Sequence, residues 1–109
     1  MPDADPGCVV VLCTAPAEAA PQLARSVVEE QLCACVNVLP AVRSFFRWEG
    51  QVDEAAESLL IAKTTARRFS ALRDRLAQLH PYDVPEVIAL DVRDGLPAYL
   101  SWVVDSVQG

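Results

Sequence analysis

CVNVLPAVRSFFRWEGQ, residues 35–51, holds two β-forming runs and a turn, and its reading decides the fold. Cys35-Val36-Asn37-Val38-Leu39 reads as a strand interrupted at Pro40, which removes a ladder donor and implies a bend or an edge. From 42 to 48 the alternation is poor, yet Val42, Phe45, Phe46 and Trp48 are β formers and the strand resumes. Glu49-Gly50 supplies a two-residue hairpin turn, and Gln51 begins the return. The return leg runs through 58–64, whose apolar centre suits a strand buried on both faces.

Outward from this hairpin, the pattern repeats on either side. Residues 8–13, CVVVLC, are a β-branched run ending at Thr14-Ala15-Pro16, expected to be a central strand buried on both faces. Beyond it Ala20, Leu23, Ala24, Val27 and Val28 fall at helical spacing, with Thr14 as the expected cap and Pro16 in the first turn. After the hairpin, Thr64 or Thr65 is expected to cap a second helix carrying Phe69, Leu72, Leu76 and Leu79, which Pro81 stops. A strand over 86–92, a turn at Asp94-Gly95 and a last helix opened by Pro97, with Tyr99, Leu100, Val103, Val104 and Val107 inward, complete the chain. The order βαββαβ plus a C-terminal helix is α+β, a ferredoxin-like split βαβ sandwich with two helices on one face of an antiparallel sheet. Residues 1–7 read as a flexible extension and 8–109 as a single domain.

A chain of 109 residues accommodates one such domain. With 52% hydrophobic and 22% charged residues it has the apolar surface to fold. Nine basic against fifteen acidic residues give a net charge of −6, which argues against nucleic acid as a partner. The apolar run 8–13 is too short, and its acidic flank wrong, for a signal peptide or membrane insertion, so a cytoplasmic location is expected. There the four cysteines, Cys8, Cys13, Cys33 and Cys35, are expected to stay reduced. No GxGxxG, GK[ST], HExxH or GxSxG occurs, so neither an enzyme nor an organic cofactor is expected.

Hairpin length adds an expectation about assembly. Thirteen extended residues from Val36 to Trp48 span roughly 43 Å. A compact domain of this size is roughly 34 Å across. The hairpin should therefore overhang its own domain, and its exposed edges with Phe45, Phe46 and Trp48 call for another subunit.

Few residues offer chemistry. His80 is the sole histidine, at a helix end beside the rigid segment Pro81-Tyr82-Asp83-Val84-Pro85-Glu86; its plain reading is a helix C-terminal cation. Cys13 and Cys35 lie at strand ends, where ligand sites of open sheets are often built, although a cysteine in an apolar run is by default a core residue. Two thiolates and an imidazole would suit copper(I) or zinc by softness. Lys63 ends an apolar run, either snorkelling to water or meeting an anion in a cleft. Trp48 reads most simply as packing surface at the hairpin tip.

Together the segments VVVLCTAP (9–16), EEQLCACVN (29–37), FRWEGQ (46–51), LLIAKT (59–64), HPYDVPE (80–86) and YLSW (99–102) resemble the CutA family of divalent-cation-tolerance proteins. The resemblance covers nearly the whole chain. It implies a tight homotrimer with long hairpins pairing between subunits, in the manner of PII signalling trimers. It also implies a cytoplasmic protein associated with tolerance to copper and other divalent metals. Copper binding in some members is assigned to the positions of Cys13 and His80, and Cys35 is the third donor expected here. Some members carry a second histidine where this chain has Leu79, and the usual lysine after WEG is Gln51. The family pattern further places Cys35, Trp48, Lys63, Tyr82 and Glu86 near the cleft between subunits, which gives the alternative of a PII-like sensor or scaffold binding a small anion or a partner protein there.

Overall fold

A computed structural model of the chain describes residues 7–108; the segment expected to be flexible lies, apart from Gly7, outside the described residues. The elements follow the expected order: β1 (Cys8–Ala15), α1 (Ala20–Glu29), β2 (Cys35–Trp48), β3 (Gln51–Thr65), α2 (Phe69–Leu79), β4 (Ile88–Asp91) and α3 (Pro97–Ser106). The strands form one antiparallel sheet in the order β2-β3-β1-β4, the split βαβ arrangement.

The main core lies on one face of this sheet. Val9, Val11, Cys13 and Ala15 of β1 and Leu60 and Ala62 of β3 are buried against Ala20, Leu23 and Val27 of α1 and Leu72 and Leu76 of α2. Strict alternation follows from the pleat, since successive side chains point to opposite faces. The expectation that β1 and the return leg are buried on both faces is therefore corrected. Cys8, Val10, Leu12 and Thr14 are only half-buried, as are Leu59, Ile61 and Lys63 of β3. On this second face α3 packs Val103 and Val107 near Ala34 and Cys8, leaving the rest of the apolar face open.

Local signals were redistributed where geometry competed with propensity. Thr14 pairs with Leu59 inside β1 and caps nothing; the chain instead turns at Pro16, whose carbonyl accepts from the Ala19 and Ala20 amides, and Pro21 occupies the first turn of α1. Thr65 does hold the approach to α2, its hydroxyl accepting the Arg68 amide at 3.3 Å, while the Thr64 hydroxyl donates to the Leu32 carbonyl at 2.8 Å. Leu79, expected inward, stands on the outer side of α2; Tyr99 is 40% exposed yet faces the sheet, its hydroxyl reaching Cys35; and β4 is shorter than the expected 86–92.

The hairpin projects as expected, and the molecule measures 49 × 25 × 22 Å. Glu49 and Gly50 both take positive φ, 50° and 80°, the two-residue turn whose twist matches the strands it joins. Between Leu39, paired with Leu59, and Val42, paired with Glu57, β2 carries one residue more than β3, a β-bulge at Pro40-Ala41 with Ala41 at φ 64°. Beyond it Phe45 and Trp48 are 61% and 62% exposed.

Candidate functional site

Chemistry-bearing side chains gather in two places. The first is the C-terminal end of β1. Pro81 disfavours helical backbone at the residue before it, so His80 takes φ −73°, ψ 141° and ends α2. That leaves its ring over β1, where Nε2 lies 2.8 Å from the Thr14 carbonyl oxygen. A carbonyl only accepts, so Nε2 carries the proton, and Nδ1 accepts the Tyr82 amide at 3.1 Å. The Tyr82 ring packs on the imidazole at 4.7 Å between centroids, and its hydroxyl donates to Glu57 Oε2 at 2.7 Å. Glu57 is 6% exposed, a carboxylate of β3 drawn into the protein and satisfied by that phenol.

Cys13 adjoins this network, its thiol 3.8 Å from the same Thr14 carbonyl. Burial pushes the thiol up to about 12, and the negative charges of Glu86 and Glu57 push in the same direction. Desolvation of the phenol likewise raises Tyr82 to about 12, helped by its hydrogen bond to Glu57 and by that carboxylate's charge.

The second cluster lies on the opposite face. Cys35 and Lys63 face each other across β2 and β3, with Lys63 Nζ 3.5 Å from Cys35 Sγ and also donating to Asn37 Oδ1. The Tyr99 hydroxyl reaches the same sulfur at 3.8 Å. Cys33 is buried beside them, its thiol pushed up to about 12 by burial and by Cys35, against the opposing pull of Lys63. All four cysteines are thiols, with no disulfide among them.

The structure thus brings Cys13 and His80 together and leaves Cys35 apart. Cys13 pairs with Leu60 and Cys35 with Lys63, so their backbones are about 14 Å apart from strand spacing and rise, with the side chains on opposite faces. Among the described residues no group of three or more His, Cys, Asp and Glu side chains converges as a metal cage. The His80 ring nitrogens are both engaged and the Cys13 thiol is deeply buried. The three-donor set therefore does not fit a metal within one chain. Of the residues expected around the cleft between subunits, Tyr82 and Glu86 belong to the first cluster, Cys35 and Lys63 to the second, and Trp48 to the hairpin tip. Glu57, Asn37 and Tyr99 were not singled out as site residues from sequence; the only hint was Glu57, a carboxylate next to an apolar strand run.

A family profile described as CutA1 divalent ion tolerance protein matches residues 9–106. The divalent-cation tolerance protein CutA of Thermus thermophilus is 47% identical over 95 residues, covering 86% of this chain and 92% of that protein. The crystal structure of CutA from Xylella fastidiosa superposes with a TM-score of 0.91 at 38% identity, covering 94% of this chain and 99% of that one. A PII-like protein CutA from Nostoc sp. PCC 7120, solved in apo form, gives 0.87 at 33% identity, covering 92% and 97%.

Proposed function

The chain belongs to the CutA1 divalent ion tolerance family, and from that premise we propose that it serves tolerance of copper and other divalent metals as a cytoplasmic, non-catalytic homotrimer. The observation that carries the assembly is the open face of the sheet. Leu12, Leu39, Leu59, Ile61 and Ile88 share the face that α3 covers only at one end, and the projecting hairpin adds Phe46 and Trp48. Apolar surface on this scale marks an interaction site. The two sheet edges are unlike: β2 is long and bulged and β4 has four residues, so a hairpin of one subunit laid along the next makes a head-to-tail contact, and three such contacts close a ring.

Copper is the metal we assign, on the softness of the Cys13 and His80 donors, both of which meet the Thr14 carbonyl; its uptake requires His80 to give up a ring hydrogen bond and Cys13 its proton. The third donor, Cys35, belongs to the second cluster and enters the proposal only as a separate thiol. Native mass spectra of the reduced protein, with and without sub-stoichiometric copper(I) and copper(II), test both parts. The expected species is three times the chain mass, taking up copper in integral steps that Cys13→Ser and His80→Ala each diminish. A monomer at micromolar concentration overturns the assembly, and uptake unchanged in both variants overturns the donor assignment.

Lys63 favours a second reading, a PII-like sensor or scaffold with an anionic ligand in the subunit cleft. Its ammonium group pairs with no carboxylate among the described residues. A metabolite that raises the melting temperature, as binding to the native state must, while copper does not, selects this reading.

A further inference from the structure

Between α3 and the open face of the sheet lies a pocket of about 420 Å³, within the usual range of small-molecule sites, about 300–1,000 Å³. Val10, Leu100 and Val103 form its walls, Lys63 and Tyr99 one lip and Asp94 the other. Lys63 on β3 is in register with Leu90 of β4 through Val10, and Asp94 lies two strand spacings across and four residues further along, roughly 16 Å from Lys63.

The two lips differ in chemistry. Lys63 Nζ and the Tyr99 hydroxyl lie 3.5 and 3.8 Å from the same sulfur, Cys35 Sγ, and Nζ also donates to Asn37 Oδ1, so both polar groups stand at the β2 end of the pocket. Lys63 is the only lysine in the chain and is half-buried. Every ion pair among the described residues uses an arginine instead. A partly desolvated cation left without a carboxylate, in a chain of net charge −6, leaves its attraction available to an incoming anion. Asp94 turns one oxygen to the Gly95 amide at 2.8 Å and keeps a negative charge at the far lip.

We propose that this pocket binds a small organic anion with an apolar body, in class a medium-chain monocarboxylate. Its carboxylate meets Lys63 Nζ and the Tyr99 hydroxyl, and its hydrocarbon lies along Val10, Leu100 and Val103. Asp94 sets the orientation by repelling the head group from the other end. One cation and apolar walls give a second or third negative charge no partner, which disfavours nucleotides and other polyanions. The proposal shares with the cleft reading the premise that Lys63 receives an anion, but it places the site within a single chain.

Calorimetric titration of the full chain with butanoate, hexanoate and octanoate tests it, with octan-1-ol as the uncharged analogue and inorganic phosphate and succinate as compact polar anions. Octanoate is expected to bind once per chain, with affinity rising about fourfold per added methylene and octan-1-ol at least tenfold weaker. Lys63→Met, which keeps the aliphatic stem, should weaken octanoate at least tenfold and leave octan-1-ol unchanged; circular dichroism verifies its fold. Octanoate binding that is absent, or that Lys63→Met leaves unaltered, overturns the proposal. If phosphate or succinate binds through Lys63 while octanoate does not, the pocket assignment falls and the cleft reading stands. If no anion binds, both fall.

Discussion

His80 and Thr14, separated by 66 positions, are joined by a 2.8 Å hydrogen bond from an imidazole to a strand carbonyl, which ties the end of α2 to the end of β1. The same ring accepts the Tyr82 amide, so its removal strands two backbone groups in a part-buried place. His80→Ala should destabilise the fold by about 2–3 kcal/mol, the combined effect of an unsatisfied carbonyl and amide. Urea unfolding at fixed protein concentration checks this, because association makes the midpoint concentration-dependent. A shift below about 0.5 kcal/mol would mean that water replaces the imidazole at no cost.

The Tyr82 phenol, raised to about 12 in the folded protein, ionises near 10 when unfolded. Its contribution to stability is complete below pH 10 and is lost as pH rises toward 12, because the unfolded chain releases the proton first. Tyr82→Phe removes the donor to Glu57 and should destabilise the protein at pH 8. It should also flatten the decline in stability between pH 10 and 12 relative to wild type. Unfolding midpoints of both proteins at pH 8, 10 and 11 give the comparison, and parallel curves would remove the phenol from the alkaline response.

Thiol reactivity should divide by face. Cys13 and Cys33 are each 1% exposed and pushed up to about 12, so little thiolate forms and little reagent reaches them. Cys8 and Cys35 are only half-buried. Iodoacetamide at pH 8, followed by peptide mass mapping, should alkylate Cys35 and Cys8 at least tenfold faster than the other two. Equal labelling would show that the β1 end opens readily.

Ala41 occupies left-handed backbone at φ 64°, where a Cβ crowds the following carbonyl at about 1–2 kcal/mol. Ala41→Gly relieves that strain against an entropic loss of about 0.5–1 kcal/mol, so the expected net effect is a stabilisation of up to about 1.5 kcal/mol. Ala41→Val, branched at the crowded carbon, should destabilise by more than 1 kcal/mol on the same scale, roughly. Thermal melts of the two variants beside wild type read both signs; a destabilising glycine would refute the strain argument.

The element order was legible because two periods alternate along the chain and because Pro40, Gly50 and Pro81 punctuate it. The change of parity between 35–39 and 42–48 has a physical cause that no local pattern contains. The extra residue at the bulge moves the open face from Cys35, Asn37 and Leu39 to Val42, Ser44 and Phe46. Double burial of β1 was misread for a related reason: an apolar second face looks the same whether covered by its own chain or left open. In the candidate site, Cys13 beside His80 follows from both residues lying at element ends. The distance to Cys35, the Tyr82–Glu57 bond and the Lys63–Tyr99 pair depend on register and on where α3 lies, which are tertiary facts.

The bulge at Pro40-Ala41 also makes the outward identity of the arm a matter of chain length. Exchange of one side chain for another changes what a face displays, whereas loss of a single codon between Leu39 and Val42 would exchange the faces themselves, turning Phe45 toward the side now held by Phe46. Within a lineage this arm can therefore drift freely in composition while its length there stays fixed, and indels between these two positions are the changes selection should remove first.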